Sequence, residues 1–192
     1  AIPAILICLV EVSNTRIRGR KDLDVLTVPV IGEIPQNDKK RARRLRRILA
    51  RFNILKKNKK KEKSARVVKE GSRNAINEAF RVLRTNIEFI TRENKQNVII
   101  FTSFNPGSGK TFCILNTAIS FALKGEKVLL IDGDMRHASL SEHASSNETG
   151  LSNYLAKEAH SLKEIIKTDE THENLHIIPT GTVPPNPTEL LE

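Results

Sequence analysis

A glycine-rich loop that ends in lysine and threonine is the part of this sequence with the most direct chemical meaning. It runs from Phe104, where the strict pattern G-x-x-x-x-G-K-[ST] has glycine, to Thr111 (FNPGSGKT), between a β-rich run and a helical pattern. The backbone N–H groups of such a loop and the N-terminus of the following helix form a cradle for phosphate. Lys110 would reach the β- and γ-phosphates of ATP, and the Thr111 hydroxyl would ligate Mg²⁺. The predicted nucleotide-binding residues are Gly107, Ser108, Gly109, Lys110, Thr111 and Phe112.

Two aspartates separated by one glycine form a second candidate site. Asp132 and Asp134 follow the apolar run VLLI, which is typical of a strand in a parallel sheet that is covered on both sides. Ligands of open α/β sheets bind at the carboxyl ends of the strands, so one carboxylate would hold Mg²⁺ or its waters and the other would accept a proton from an attacking hydroxyl. Lys110 and both aspartates are the predicted catalytic residues, and Thr111 with both aspartates supplies the predicted metal ligands. Arg136 would neutralise phosphate charge or pair with an acidic partner, and the plain alternative for the aspartates is an Asp-Gly turn.

The elements that must position these residues alternate between helices and strands. Residues 74–92 carry apolar side chains at intervals of three and four, which predicts a helix, and Lys124 with Gly125 would end a helix that begins at Lys110. The predicted elements are helix 74–92, strand Asn97–Ser103, helix Lys110–Leu123, strand Val128–Ile131, short helices near Leu151–Lys157 and Leu162–Lys167, and strand Leu175–Pro179. This order indicates an α/β fold, here a partial P-loop NTPase fold with a parallel sheet and flanking helices.

Charge is distributed unevenly along the 192 residues. The chain has 32 Lys and Arg residues against 22 Asp and Glu residues, a net charge of +10. Residues 39–73 hold 17 of the basic side chains and only 2 of the acidic ones. The remainder is therefore mildly acidic, which excludes a uniformly basic protein. The two cysteines provide neither a disulfide framework nor metal-ligand spacing, which favours a reducing compartment for the folded part.

The amino-terminal region has the pattern of a membrane helix that reaches the cytoplasm. Residues 1–10 are all apolar, and basic residues cluster between positions 16 and 21, as the positive-inside rule describes. Ten residues are too few to span a bilayer, which takes about 20. We therefore expect residues 1–25 to be the end of a transmembrane helix followed by a juxtamembrane segment. The alternative is a buried helix or strand of a soluble protein.

The basic segment between residues 37 and 73 has two parts. Residues 38–52 would form a helix with apolar side chains on one face and Lys and Arg on the other, and residues 56–63 are a nearly pure lysine run. An amphipathic basic helix suits the surface of an anionic membrane, which is the interpretation we favour. The alternatives are a solvated linker and a nucleic-acid-binding segment. Because the segment has one aromatic residue and no recognition motif, we expect no nucleic-acid partner.

The loop and the aspartate pair together resemble a known family. The strings TSFNPGSGKT and LLIDGDMR are similar to the Walker A and Walker A′ motifs of the bacterial tyrosine kinases (BY-kinases) of capsule and exopolysaccharide export. Three further stretches agree with that family. Glu78–Phe89 resembles its E-x-x-R-x-x-R helix, and Pro184–Leu191 resembles the segment after its third strand. Leu26–Pro35 resembles the stretch after its second membrane helix, so we assign residues 26–36 to a co-polymerase stretch.

This resemblance implies an ATP- and Mg²⁺-dependent protein-tyrosine kinase that phosphorylates itself and regulates polysaccharide chain length and export. Residues 74–192 would be an incomplete kinase domain on the cytoplasmic side of the bacterial inner membrane. Its partners would be the anionic membrane surface, the polysaccharide export machinery and further copies of itself. In that family the E-x-x-R-x-x-R helix mediates ring-like self-association, which places Glu78, Arg81 and Arg84 in a subunit contact. From the residues alone, ion pairing within the helix is the alternative.

Two features of the family are not found within residues 1–192. The Walker B motif, D-x-x-P after an apolar strand, would follow Glu192, and Tyr154, the one tyrosine, matches no tyrosine cluster. Residues 1–192 alone are therefore expected to transfer no phosphate. Two other functions stay open. One is a partitioning-type P-loop ATPase, whose loop usually carries an extra lysine that residues 104–108 lack, and the other is a non-catalytic nucleotide-sensing regulator of polysaccharide polymerisation.

Overall fold

The computed structural model describes residues 27–35, 65–92 and 98–191. The chain divides into two units, residues 1–31 and 32–192, and the first unit contains no helix or strand in its described part. The predicted membrane-exit segment, basic helix and lysine run lie outside the described residues. Within the part of the chain that the structure describes, no helix has the length and apolar character needed to cross a bilayer.

The described residues of the second unit form one small sheet with helices around it. The elements are α1 (Ala75–Ile90), α2 (Lys110–Ala122), β1 (Val128–Ile131), a 3₁₀ helix (Ser141–His143), α3 (Leu151–Leu155), α4 (Leu162–Ile165), β2 (Lys167–Thr168), β3 (Leu175–Ile178) and a second 3₁₀ helix (Glu189–Leu191). The strands lie in the order β1-β3-β2. β3 runs parallel to β1, with Ile131 opposite Ile178, and antiparallel to β2. The carboxyl ends of β1 and β3 therefore meet at one edge of the sheet.

The two long helices follow from local sequence signals. α1 begins where the Asn74 side chain accepts a hydrogen bond from the Asn77 N–H at 2.8 Å, an N-cap that satisfies a helix donor left without an intrahelical partner. The buried apolar side chains are Phe80, Leu83 and Ile87 in α1 and Leu115, Ala118, Ile119 and Ala122 in α2. Because these side chains recur at helical spacing, each set forms one apolar face, and the two helices pack against each other. α2 also packs against β1 and β3, so it joins α1 to the sheet.

Most of the predicted elements are confirmed. β1 has the predicted bounds, and α2 and β3 each end one residue earlier than expected. α1 begins and ends one or two residues inside the predicted range, and α3 and α4 are each two residues shorter than predicted. The antiparallel strand β2 is not predicted, because two residues are too few to show a period. The parallel pairing of β1 with β3 confirms the predicted class of fold.

The predicted strand Asn97–Ser103 is wrong for the residues that are described. Residues 98–103 belong to no strand and pair with none of the strands in the described sheet. Val98 and Ile100 expose 92% and 85% of their surface. A run rich in β-branched residues becomes a strand only where a neighbouring strand receives its hydrogen bonds, and this run forms no ladder with any described strand.

β1 also differs from its prediction, because only one of its faces is covered. Leu130 is buried, whereas Leu129 and Ile131 on the opposite face are about half exposed. β1 lies at the edge of the described sheet, so its apolar residues are not enclosed on both sides as in the middle of a parallel sheet. An apolar run thus identifies the strand correctly but overstates its burial.

Candidate nucleotide-binding site

The phosphate loop leads into α2 through two glycines in left-handed conformations. Gly107 has φ +72°, and Gly109, the N-cap of α2, has φ +104°. A Cβ built on either glycine would meet no atom within 4 Å. Because side chains rarely adopt such φ values, backbone conformation rather than lack of space requires glycine here. Residues 104–108 are exposed, which leaves the loop accessible to a ligand.

The Lys110 ammonium is held across the loop that precedes it. Its Nζ donates a hydrogen bond to Ser103 Oγ at 3.1 Å, and the Ser103 hydroxyl donates to the Asn105 carbonyl oxygen at 3.0 Å. Lys110 is partly buried, so the ammonium does not extend freely into solvent. Ser103 cannot be identified from the sequence, because a single hydroxyl before the loop has no pattern of its own.

The two residues after Lys110 have different surroundings. Thr111 is partly buried in the first turn of α2, where its hydroxyl is available to a metal ion bound with phosphate. The Phe112 ring packs on the Phe80 ring of α1, with centroids 5.7 Å apart and planes tilted by 60°. The Phe112 side chain therefore stabilises the contact between α1 and α2, and its part in nucleotide binding stays a prediction.

The connection between α2 and β1 brings both predicted sites to one edge of the sheet. Only residues 123–127 join the two elements, and Gly125, with φ +97°, allows the chain to reverse. Because α2 packs against β1 after such a short connection, the N-terminus of α2 lies toward the carboxyl end of β1. Lys110 therefore shares that edge with Asp132, which is where open α/β sheets bind their ligands.

Asp132 is held by hydrogen bonds directly after β1. Its residue surface is 4% exposed, and its Oδ2 accepts hydrogen bonds from the Ser141 N–H at 2.8 Å and the Ser141 hydroxyl at 2.7 Å. Its Oδ1 accepts one longer bond, from the Asp134 N–H at 3.2 Å. A buried carboxylate requires such donors. Ser141 is not predictable as one of them, because it lies nine residues away in a short 3₁₀ helix that no sequence pattern announces.

Asp134 lies at the surface of the same turn. Its Oδ1 accepts hydrogen bonds from the Arg136 N–H at 3.3 Å and the His137 N–H at 3.1 Å, and the His137 Nδ1 lies 3.4 Å away. Partial burial tends to raise the pKa of Asp134, but these hydrogen bonds outweigh burial and hold the pKa below its ordinary value. The plain alternative of turn chemistry is therefore also present, both here and at the Asp132-Gly133 pair, where Asp132 Oδ1 accepts from the Asp134 N–H. The Arg136 side chain is exposed and open to an anionic ligand.

The oxygen donors fit a magnesium ion that arrives with a nucleotide. Mg²⁺ keeps several waters and is bound in proteins by one or two carboxylates together with substrate phosphates. The Asp132 carboxylate and the Thr111 hydroxyl are donors of that kind. Among the described residues, no group of three or more His, Cys, Asp or Glu side chains is placed to hold a metal ion. The Asp132 and Thr111 side chains could therefore supply part of a magnesium shell that phosphate and water would complete.

The charged motif of α1 is only partly directed to solvent. Glu78 and Arg81 are exposed, with Arg81 Nη1 3.5 Å from Glu78 Oε2. Arg84 turns toward α2, where its Nη1 donates to the Ser120 carbonyl oxygen at 2.8 Å, and its Nε lies 3.5 Å from Glu88 Oε1. The pairing within the helix that the residues alone suggest is therefore present for both arginines. Their part in self-association stays a prediction.

The part of the chain that holds the phosphate loop and the aspartates is similar to known proteins. A family model described as an AAA domain matches residues 96–183, which include the phosphate loop and both aspartates. The tyrosine-protein kinase CpsD of Streptococcus pneumoniae is 44% identical over 120 residues, 60% of this chain and 50% of that protein. The tyrosine-protein kinase YwqD of Bacillus subtilis (strain 168) is 38% identical over 117 residues, 59% of this chain and 48% of that protein. The chain thus spans about half the length of these curated relatives.

A solved structure agrees with this chain in both sequence and fold. The kinase domain of the Escherichia coli tyrosine kinase ETK matches with a TM-score of 0.69 and 31% identity, covering 90% of this chain and 63% of that domain. The match confirms the P-loop α/β fold predicted from the order of elements. The resemblance to the bacterial tyrosine kinases is likewise confirmed, and the α/β part of this chain is homologous to their kinase domains.

Proposed function

We propose that the protein is an ATP-dependent protein-tyrosine kinase that phosphorylates itself and regulates polysaccharide chain length and export. One observation carries the proposal. The Lys110 loop begins α2 at the same sheet edge at which Asp132 follows β1, in a chain whose relatives are named tyrosine-protein kinases. The link to polysaccharide export is supported by the likeness of Leu26–Pro35 to the co-polymerase stretch of that family.

The residues of the site would contribute to phosphoryl transfer in two ways, by orienting the phosphates and by stabilising their charge. The loop N–H groups and the Lys110 ammonium would bind and orient the phosphates of ATP, which is most of what such catalysis requires. The buried Asp132 and the Thr111 hydroxyl would hold Mg²⁺, which when bound supplies positive charge against the transferred phosphoryl group. Asp134, whose pKa is low and whose carboxylate is exposed, is ionised at neutral pH and accessible to an incoming hydroxyl.

The acceptor tyrosine is proposed to lie on another segment or another molecule. Tyr154 is the one tyrosine among residues 1–192, and it packs on a buried cluster formed by Ala159, Ile165 and Ile178. A phenol held in this way does not reach a phosphate loop without unfolding α3. Phosphoryl transfer to tyrosine therefore requires an acceptor on another segment or another molecule that can reach the loop.

The test of this function is phosphotyrosine formation by the full-length protein incubated with MgATP. Wild type should gain phosphotyrosine with time, detected by antibody and by mass spectrometry. Asp132→Asn should reduce the rate by at least about a hundredfold, in line with the loss of one preorganised electrostatic group. Glu170→Gln, an exposed acidic residue away from the site, serves as control and should match wild type. A protein that hydrolyses ATP yet never labels tyrosine would instead be a partitioning-type ATPase.

The proposed setting is the cytoplasmic face of the bacterial inner membrane, in a homo-oligomer. The membrane part rests on the charge of residues 39–73, which is concentrated as an anionic surface would require. The oligomer part rests on the exposed Glu78 and Arg81 of α1, which are accessible to a second copy. Both have their own tests below.

A further inference from the structure

We infer that Ser141 is a positioning residue of the proposed site, fixing the Asp132 carboxylate so that one chosen oxygen, Oδ1, faces magnesium or its waters. The inference rests on the proposed function and deepens it. It adds a residue outside the loop and aspartate motifs, contributed by the 3₁₀ helix Ser141–His143.

Ser141 directs two donors at a single oxygen. Its N–H and its hydroxyl donate to Asp132 Oδ2 at 2.8 Å and 2.7 Å. Both residues are almost fully buried, Ser141 at 2% and Asp132 at 4% exposure, so water does not compete for these bonds. Two short bonds from one residue fix both the position and the rotation of a carboxylate more tightly than one bond does.

Thr180 sets the direction of the Ser141 hydroxyl. The Thr180 N–H donates to Ser141 Oγ at 2.8 Å, and Thr180 is fully buried. Since this oxygen already accepts the Thr180 hydrogen, the hydroxyl proton points at Asp132 Oδ2. Thr180 follows β3 in the chain, and its own hydroxyl donates to the Asp132 carbonyl oxygen at 3.4 Å. The residues that follow β1 and β3 are thus joined through Ser141.

The same geometry leaves Asp132 Oδ1 as the available oxygen. Oδ1 accepts only the longer bond from the Asp134 N–H, at 3.2 Å, among described residues, and a carboxylate oxygen has capacity for a further partner. Groups that orient a metal ligand in this way commonly change metal affinity by 10- to 100-fold when they are removed. We therefore expect Ser141 to affect magnesium far more than it affects the nucleotide.

Ser152 provides a matched control, because it is a buried serine with a similar structural task. Its hydroxyl donates to the Thr180 carbonyl oxygen at 2.8 Å and to the Thr182 carbonyl oxygen, and it is 3% exposed. It holds the same segment after β3, and among the described residues its hydroxyl is bonded to Thr180 and Thr182 rather than to Asp132. A purely structural role for Ser141 would make Ser141→Ala and Ser152→Ala behave alike.

The experiment measures the Mg²⁺ concentration that half-saturates binding of a non-hydrolysable fluorescent ATP analogue to the full-length protein. Ser141→Ala should raise that concentration about tenfold, leave the affinity for the analogue in EDTA unchanged, and weaken Mn²⁺ binding seen by electron paramagnetic resonance. Ser152→Ala should match wild type in all three. Equal shifts in both variants, or no shift in Ser141→Ala, would overturn the inference.

A double-variant comparison separates a direct role from an indirect one. Because Ser141 is proposed to act through Asp132, adding Ser141→Ala to Asp132→Asn should cause no further shift, and an additive shift would contradict the inference. If Ser141→Ala does not fold, Ser141→Cys, which keeps the branching with a slightly larger and weaker donor, should shift the Mg²⁺ requirement in the same direction, and a wild-type value would overturn the inference. Wild type that binds no nucleotide would instead refute the proposed function itself.

Discussion

The guanidinium of Arg66 lies 2.6 Å from the carboxylate of Asp169, which ties the chain leaving the basic region to the turn after β2. The Asp169 side chain is 1% exposed, and its Oδ1 also accepts hydrogen bonds from the N–H groups of Thr171 and His172 at 3.0 Å each. Burial tends to raise the pKa of Asp169, but the Arg66 contact and these donors outweigh it and hold the pKa below its ordinary value. The pair therefore contributes to stability only while Asp169 is ionised.

The first prediction concerns the pH dependence of folding. Because the pKa of Asp169 is lower when folded than its unfolded value of about 3.9, its contribution is present above about pH 4 and is lost as pH falls through the folded pKa. Asp169→Asn should lower the free energy of unfolding at neutral pH by about 1–3 kcal/mol and flatten its decline in acid. Urea unfolding across the acid range measures both. Glu170→Gln is the control, and an unchanged acid slope in Asp169→Asn would contradict the assignment.

The second prediction concerns the segment that links Arg66 to α1. Asn116 of α2 accepts hydrogen bonds from the Val67 and Val68 N–H groups at 2.8 and 3.1 Å and donates to the Ala65 carbonyl oxygen at 2.6 Å. Asn116→Ala removes these bonds, so the Val67 and Val68 amides should exchange hydrogen about tenfold faster, as expected for the loss of roughly 1–2 kcal/mol.

Asn77 supplies the control for that exchange experiment. Its Oδ1 accepts the Lys69 N–H at 2.9 Å in the same segment. Asn77→Ala should therefore accelerate exchange at Lys69 while the Val67 and Val68 amides keep most of their protection. Uniform acceleration along the segment in both variants would show that the two asparagines do not hold it at separate points.

Contiguous motifs account for what could be predicted from sequence. Gly107, Lys110 and Thr111 belong to one contiguous motif that spans the loop and the start of α2, and Asp132 follows directly after an apolar strand, so each is found by local spacing. The helices and strands that carry them show a clear periodicity of apolar residues, as the apolar face of α1 shows. A motif of this kind contains its own structural context, which is why the loop and the fold are both found as expected.

Contacts between distant residues account for what could not be predicted. Ser141 reaches Asp132 and Arg66 reaches Asp169 only because the fold brings separate loops together, and neither serine nor arginine has a spacing that reveals its partner. Residues 98–103 show the opposite case, in which strong β propensity is not matched by a neighbouring strand. Propensity describes the residue, whereas pairing depends on the whole sheet.

The third prediction separates the two arginines of α1. Arg84→Ala should lower the free energy of unfolding by about 1–3 kcal/mol, because it removes the bond to the Ser120 carbonyl oxygen and leaves that buried group unpaired. Arg81→Ala should cost less than about 0.5 kcal/mol, since the exposed pair with Glu78 is weak. Denaturant unfolding of both variants measures the difference, and equal losses would contradict the geometry.

The fourth prediction tests self-association at the exposed part of the same helix. Arg81→Glu places a second negative charge beside Glu78, so the full-length protein should shift toward monomer in sedimentation velocity without loss of stability. Lys163→Glu, the same reversal of charge at an exposed position of α4, is the control. An oligomer that survives Arg81→Glu unchanged would leave Glu78 and Arg81 as an ordinary ion pair.

The fifth prediction concerns the basic segment and the membrane. Residues 39–63 should bind vesicles that contain anionic lipid, and binding should weaken steeply as salt is added, because screening shortens the reach of surface charge. A peptide of the same composition with its apolar residues scrambled controls for amphipathicity. Equal binding to neutral vesicles would count against the proposal, and tighter sequence-selective binding to DNA would replace it.

The most direct test of the account is a titration of the full-length protein with MgATP before and after Lys110→Met. The Lys110 ammonium, which Ser103 holds across the loop, is proposed to contact the phosphates of ATP. Lys110→Met should therefore weaken ATP binding by at least about tenfold, as expected for the loss of one charge-assisted contact. Circular dichroism should stay unchanged, because Lys110 contributes no core packing. Lys124→Met, an exposed lysine beyond the far end of α2, should bind as wild type does. Undiminished affinity in folded Lys110→Met would contradict the assignment of the loop and the function built on it.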